Sequence, residues 1–279
     1  MTKAGEFLKN DIVMKKSRIW ELDLIRGFLL ILVTWDHIGI FGYCWNIIGA
    51  SNAFGIWLRE FMFKYLASGL RYGFEPVLIF TLVFLSGINC TFSRSHTKRA
   101  IEMLYFDIGF IFLHNMGTYV FPDTLMGETV FNILTIFAIC FSIWAIIDYF
   151  KVDDIYLLIF GVCLTAIGLY FYILQRTDLS DFGALPDWMR NLFWLIYNDD
   201  AYIYSYNNFE PLLPGLGFFL LGGVYGRNIY RQKTSLLNKP CPKILKPTVW
   251  IGKHSLMVFI FGAPILVFIM WIMSLIKIL

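Results

Sequence analysis

Apolar runs of about twenty residues recur along the chain, separated by short polar stretches. Positions 155–174 hold no charged residue, and 129–147 and 255–276 are similar. Each run is close to the ~20 helical residues needed to cross ~30 Å of hydrocarbon. The pattern predicts seven spans, at 20–42, 74–93, 101–121, 129–148, 155–174, 211–227 and 253–276. Two further segments are apolar yet unsuited to crossing. Residues 54–70 carry Arg59, Glu60 and Lys64, which fits an amphipathic helix lying in the interface. Residues 188–197 are too short to span and sit in a region crowded with Trp and Tyr, as at the headgroup level. Isolated strands cannot satisfy their backbone in lipid, so the expected fold is all-α. It is a polytopic transmembrane helical bundle of about seven spans with one or two interfacial helices. One domain covers 1–279, with 1–19 as a cytoplasmic N-terminal segment.

Composition removes the soluble alternatives. The chain is 58% apolar and 15% charged, against about 25% charged in a soluble domain. The polar stretches are too short to build a separate soluble unit, and nothing in the pattern points to nucleic acid as a partner. The lipid bilayer is the expected surrounding. The formal charge of +3 is small, so its distribution says more than its total. Sixteen of the 23 basic residues fall before the first span or in the loops after the second, fourth and sixth. Alternating spans put all of these on one side, and the positive-inside rule makes that side cytoplasmic. Lysines precede the first apolar run without a cleavage site after it, so the first helix is expected to remain as an anchor.

Five cysteines cannot all pair with one another. Cys90, Cys140 and Cys163 sit in apolar surroundings and read as small core residues. No Cys/His cluster has metal-ligand spacing, so no metal is expected.

The first span carries the chemistry. "ELDLIRGFLLILVTWDH" places Asp23, Arg26, Asp36 and His37 in an apolar helix, where each charge costs several kcal/mol near the bilayer centre. Eleven residues separate Arg26 from His37. That is three turns plus about 20°, so both side chains share one face, ~16 Å apart along the axis. Asp23 can pair with Arg26 at i,i+3. Asp36 points about 100° away from His37 and needs a partner on another helix. Taken alone, Arg26 reads equally as an arginine reaching for the headgroups, and His37 as a hydrated outer-interface histidine. Together they fit a long ligand with an anionic head near the cytoplasm and a reactive end deeper in. Acyl coenzyme A has that shape.

At these residues the sequence resembles a known family. "RIWELDLIRGFLLILVTWDHIGIF" (18–41) resembles the opening of the heparan-alpha-glucosaminide N-acetyltransferase catalytic domain family, bacterial branch. "FLSGINCTFSR" (84–94), "VFNILTIFAIC" (130–140), "FEPLLPGLGFFLLGGVYGR" (209–227) and "IGKHSLMVFIFGAPIL" (251–266) follow in order. Arg26 and His37 also match the Arg-x10-His pattern of the broader transmembrane acyltransferase superfamily. The resemblance implies an acyltransferase in a bacterial or archaeal cytoplasmic membrane. It would take acyl-CoA, acetyl-CoA first of all, as co-substrate and deliver the group to an amine or hydroxyl of a carbohydrate or glycolipid. His37 falls on the family's catalytic histidine, with Asp36 beside it, and Arg26 on the accompanying arginine. There are departures. The family usually has an aspartate before "FP" and a tryptophan after the second proline of that motif, where this chain has Asn208 and Glu210 flanking Phe209, and Gly215. A histidine usual in the last helix is replaced in Gly262-Ala263-Pro264.

Acyl transfer needs a base and donors for the developing oxyanion. An imidazole can act as the base, or can itself be acylated and then discharged. Other polar residues are weaker candidates. Ser86 and Asn89 in the second span, and His254 at the inner boundary of the last, could contact acyl-CoA. His114 and Asn115 lie at the depth of His37 and, with Glu210, could meet the acceptor. Each reads at least as readily as a helix contact or a solvated boundary residue. The basic loop 227–246 reads first as a topology signal and a contact for anionic lipid. The rival class is a transporter or a non-catalytic lipid- or metabolite-binding membrane protein, since transporters also hold buried charges and broken helices.

Overall fold

The computed structural model describes residues 19–44, 52–120, 132–176, 212–237 and 239–275. The described residues form helices and connecting turns, with no strand. In chain order the helices are α1 (Trp20–Cys44), α2 (Ala53–Leu66), α3 (Gly69–Cys90), α4 (His96–Val120), α5 (Ile133–Phe150), α6 (Asp154–Arg176), α7 (Leu212–Ile229), α8 (Lys246–Lys253) and α9 (Ser255–Leu275). The expected interfacial segment 54–70 appears as α2, capped by Asn52, whose side chain accepts from the Gly55 amide. Segment 188–197 lies outside the described residues.

The expected seven spans are met in part. Among the described residues, three helices are long and apolar enough to cross a membrane: α3, α5 and α6. A fourth crossing is possible only as a bent pair, Lys243–Lys253 with Ser255–Gly262, meeting at 76°. The other expected spans mix polar groups into their apolar length. Buried Glu21, Asp23, Arg26 and Asp36 lie in α1 and buried Asp107 in α4. Helix α7 holds a proline, five glycines and Arg227. The last span does not run straight from 253, because the chain breaks at His254.

Polar contacts gather the loops at two ends. At one end Arg227, closing α7, donates to the Asp154 carboxylate at the start of α6 (2.9 Å) and to the Val152 carbonyl (3.3 Å). Its guanidinium lies over the Trp144 ring, 4.6 Å from the centroid, a contact strengthened by desolvation. His96, opening α4, faces Asp148 near the end of α5 at 3.6 Å. Glu21 accepts from Ser235 Oγ and the Leu236 amide, both at 2.7 Å, and Trp20 Nε1 donates to the Lys239 carbonyl. The loops after α3, α5 and α7 therefore share one end with the start of α1. These are the loops that charge alone assigned to one side.

Two apolar clusters fill the bundle. Trp144, Phe219, Val83, Leu134 and Ile136 centre one between α3, α5 and α7. Leu22 and Leu29 of α1 meet Leu78, Leu82, Leu85 and Ile88 of α3 in the other. Lipid tails are as apolar as leucine, so helices associate through close packing rather than through escape from water. The crossing of α1 and α8 shows this most sharply. A Cβ at Gly27 would run into the Thr248 carbonyl, and one at Gly252 into the Asp23 carbonyl. Two glycines thus let the backbones touch beside Arg26.

Candidate active site

The site starts from the face of α1 that carries Arg26 and His37. At its inner end Asp23 and Arg26 pair at 3.2 Å, both buried, as the i,i+3 spacing predicts. Helix α8 presses against this turn through Gly252 and Thr248. At the outer end His37 is half-buried. Its ring meets Phe259 of α9 edge-on, with centroids 6.5 Å apart. One turn earlier, Thr34 lies beside Gly262 of α9, 3.6 Å from where a Cβ would sit. The bent pair α8–α9 therefore packs along α1, α8 at Asp23 and Gly27 and α9 at Thr34 and His37.

The hydrogen bond of His37 determines its chemistry. Nδ1 lies 2.8 Å from the Val33 carbonyl oxygen. A carbonyl only accepts, so Nδ1 carries the proton and donates. In the neutral ring the lone pair is then on Nε2, the tautomer a base or nucleophile needs. The partner that fixes the tautomer is the helix's own backbone.

Asp36 does something different from what its place beside His37 suggests. Its carboxylate accepts from Arg71 Nε at 2.7 Å and Nη2 at 3.1 Å, a two-pronged pair, and from the Tyr65 hydroxyl at 3.0 Å. None of its hydrogen bonds goes to His37. Arg71 also reaches Glu75 at 3.5 Å. Burial, then the Asp36 charge, push the Tyr65 hydroxyl up to about 12, so it stays a donor at neutral pH.

The other candidates are dispersed. Ser86 Oγ donates to the Leu82 carbonyl and Asn89 Nδ2 to the Leu85 carbonyl, so both bond back to their own helix. His254 sits at the break between α8 and α9. Its Nδ1 donates to the Trp250 carbonyl at 2.9 Å, and its ring lies over Trp250. His114 stacks near Phe110 on α4. Asn115 lines an open apolar groove of about 520 Å³ with Ile108, Ile111, Phe112, Met116 and Tyr119. Phe259, which touches the His37 ring, packs on the same apolar cluster as Phe110. Glu210 lies outside the described residues. Among the described residues, no group of three His, Cys, Asp or Glu side chains could hold a metal.

A family model described as heparan-alpha-glucosaminide N-acetyltransferase, catalytic, matches residues 18–264. The chain belongs to this family. No curated protein and no solved structure matches it. The match spans the strip on α1 and its cover from α8 and the start of α9. Membership in the heparan-alpha-glucosaminide N-acetyltransferase family makes the chain an enzyme of the acetyltransferase class, and its apolar helices make it an integral membrane protein. Two departures from the family pattern now have positions. Gly215 is buried, and the Ile136 side chain lies 3.1 Å from where a Cβ would sit, so a larger residue there requires Ile136 to shift. Gly262 lies beside Thr34, one turn from His37, so this departure falls within the strip.

Some residues escaped the sequence reading. Arg71 and Tyr65, the partners of Asp36, carry no local pattern that names them. Asp107, 5% exposed, accepts from Thr135 Oγ1 at 2.8 Å. A lone acid inside the apolar stretch of α4 was a signal available from the sequence.

Proposed function

We propose that the protein moves an acyl group, acetyl first of all, from acyl-CoA at the cytoplasmic face to an amine or hydroxyl of a carbohydrate or glycolipid. Arg26 orients the anionic donor near the inner end of α1, and Asp23 holds the guanidinium in place. The thioester reaches along the strip toward His37. Nε2 of His37 then takes the proton from the acceptor as its nitrogen or oxygen bonds the thioester carbonyl carbon, and returns it to the CoA thiolate that leaves when the C–S bond breaks. In the alternative route the same lone pair attacks the thioester carbonyl, CoA leaves as the thiolate, and the acceptor discharges the acyl-imidazole. Ser86, Asn89 and His254 are secondary donor contacts in this reading, and His114, Asn115 and Glu210 secondary acceptor contacts.

The observation that supports this reading best is the common face of Arg26 and His37 on α1, with α8 packed at the neighbouring Asp23 and Gly27, α9 at Thr34 and His37, and the His37 proton on Nδ1. The test is incubation of the purified protein with acetyl-labelled acetyl-CoA and a panel of amino sugars and sugar alcohols. Label should appear in a sugar amide or ester. Arg26→Gln should raise the KM for acyl-CoA about 10- to 100-fold, the range for losing a charge-assisted hydrogen bond, with a smaller change in kcat. Absence of labelled product with every acceptor would contradict the donor assignment, and an unchanged KM would contradict the role of Arg26.

A further inference from the structure

Asp36 and His37 are adjacent in the chain but face different helices. Imidazole 37 turns to α9, while carboxylate 36 turns to α2 and α3. Asp36 is 8% exposed and takes three hydrogen bonds, two from one guanidinium. Such a pair is planar and directional. It fixes the rotation of α1 at the turn that bears His37. A buried ion pair of this kind is weak evidence for stability, because apolar residues of similar volume often serve as well. What it supplies is orientation and a local charge.

We infer that Arg71 is a positioning residue for the reaction, acting on His37 through Asp36. The inference rests on the reading of His37 as the acid–base group. The charged and titratable groups around that turn are few. Helix α1 contributes Asp36. Helix α2 contributes Tyr65 and carries Arg59, Glu60 and Lys64 elsewhere along its length, and α3 contributes Arg71 and Glu75 and also carries Tyr72. Helix α9, which covers the ring, has no titratable side chain. Within the cluster Arg71 offsets one of two carboxylates. Removing it leaves Asp36 and Glu75 unbalanced on the far side of the turn that bears the imidazole. Removing Asp36 leaves Arg71 balanced by Glu75 alone. Removing a nearby positive charge favours the protonated imidazole, and removing a negative one favours the neutral ring.

The two single variants should therefore act in opposite directions. In Arg71→Gln the acid limb of the kcat/KM profile should move to higher pH. In Asp36→Asn it should move to lower pH, and Glu75→Gln should follow Asp36→Asn with a smaller shift. In both Arg71→Gln and Asp36→Asn, kcat should fall at least tenfold while the KM for acyl-CoA stays within about twofold. The double variant Asp36→Leu/Arg71→Met replaces the pair with apolar side chains. It should keep thermal stability yet show the same loss of kcat, which a purely structural role would not produce. If Arg71→Gln fails to accumulate, Arg71→Lys keeps the charge and loses the fork, so kcat should fall with the acid limb in place. Wild-type kcat and pH profile in these variants, with His37→Ala inactive, would overturn the role of Arg71 alone. Full turnover by His37→Ala would overturn this role together with the reading beneath it.

Discussion

His37→Ala is expected to lower kcat for acyl transfer by 10²- to 10⁴-fold, the usual contribution of a positioned acid–base group. The protein should still insert and fold. His37 is half-buried, and its Nδ1 bond is to a carbonyl of its own helix. Val33 keeps its ordinary helical bond from the residue 37 amide when the side chain is removed. The loss of the edge contact with Phe259 leaves space on the α9 side rather than a buried charge without a partner. His37→Gln is the matched control. It keeps a donor and much of the volume but has no basic lone pair, so it should be as inactive as the alanine variant. Activity of the purified variants, normalised to folded protein, measures this. Turnover near the wild-type value in either variant would remove His37 from the chemistry.

The second large effect is expected at the crossing of α1 and α8. Gly27→Ala and Gly252→Ala each put a methyl group into a backbone carbonyl of the opposing helix. A side chain in the way could rotate, but a backbone cannot, so the helices must separate. Overpacking of this kind costs about 1–3 kcal/mol, or on the order of 3–10 °C in thermal midpoint for a chain of this size. Separation of the helices also shifts the cover over Asp23 and Arg26, so the KM for acyl-CoA should rise with the loss of stability. Gly262→Ala is the contrast on α9. A Cβ there meets Val258 at 3.5 Å and Thr34 at 3.6 Å, ordinary contact distances, so its thermal midpoint should match wild type. Equal melting of all three variants would contradict the account of the crossing.

The sequence carried what depends on local periodicity. Arg26 and His37 share a face because 3.6 residues make a turn, and Asp23 pairs with Arg26 because three residues separate them. The basic loops share an end because charge in membrane loops follows topology, and Arg227, His96, Glu21 and their partners join that end in the structure. Partners distant in sequence were not legible. The angle of Asp36 showed that it needed another helix, but nothing local named Arg71, 35 positions away. The break at His254 was hidden for a similar reason. "GKHSL" holds no proline, and the break lies just after Gly252, where α8 crosses α1 at Gly27. Ser86 and Asn89 looked like donors for a ligand, yet short polar side chains inside helices readily bond the carbonyl one turn back. The expectation of seven spans came from reading each apolar run as uniform. Buried Asp107 in α4 and the ionic turn of α1 interrupt that uniformity.

The most direct measurement is photolabelling of the membrane-embedded protein with an acyl-CoA whose acyl end carries a diazirine, followed by peptide mapping. The label should fall on α1 around Thr34–His37 and on α9 around Phe259–Gly262, and excess acetyl-CoA should suppress it. Label confined to the groove on α4 between Ile108 and Tyr119, with α1 unmarked, would contradict a donor path along the first helix.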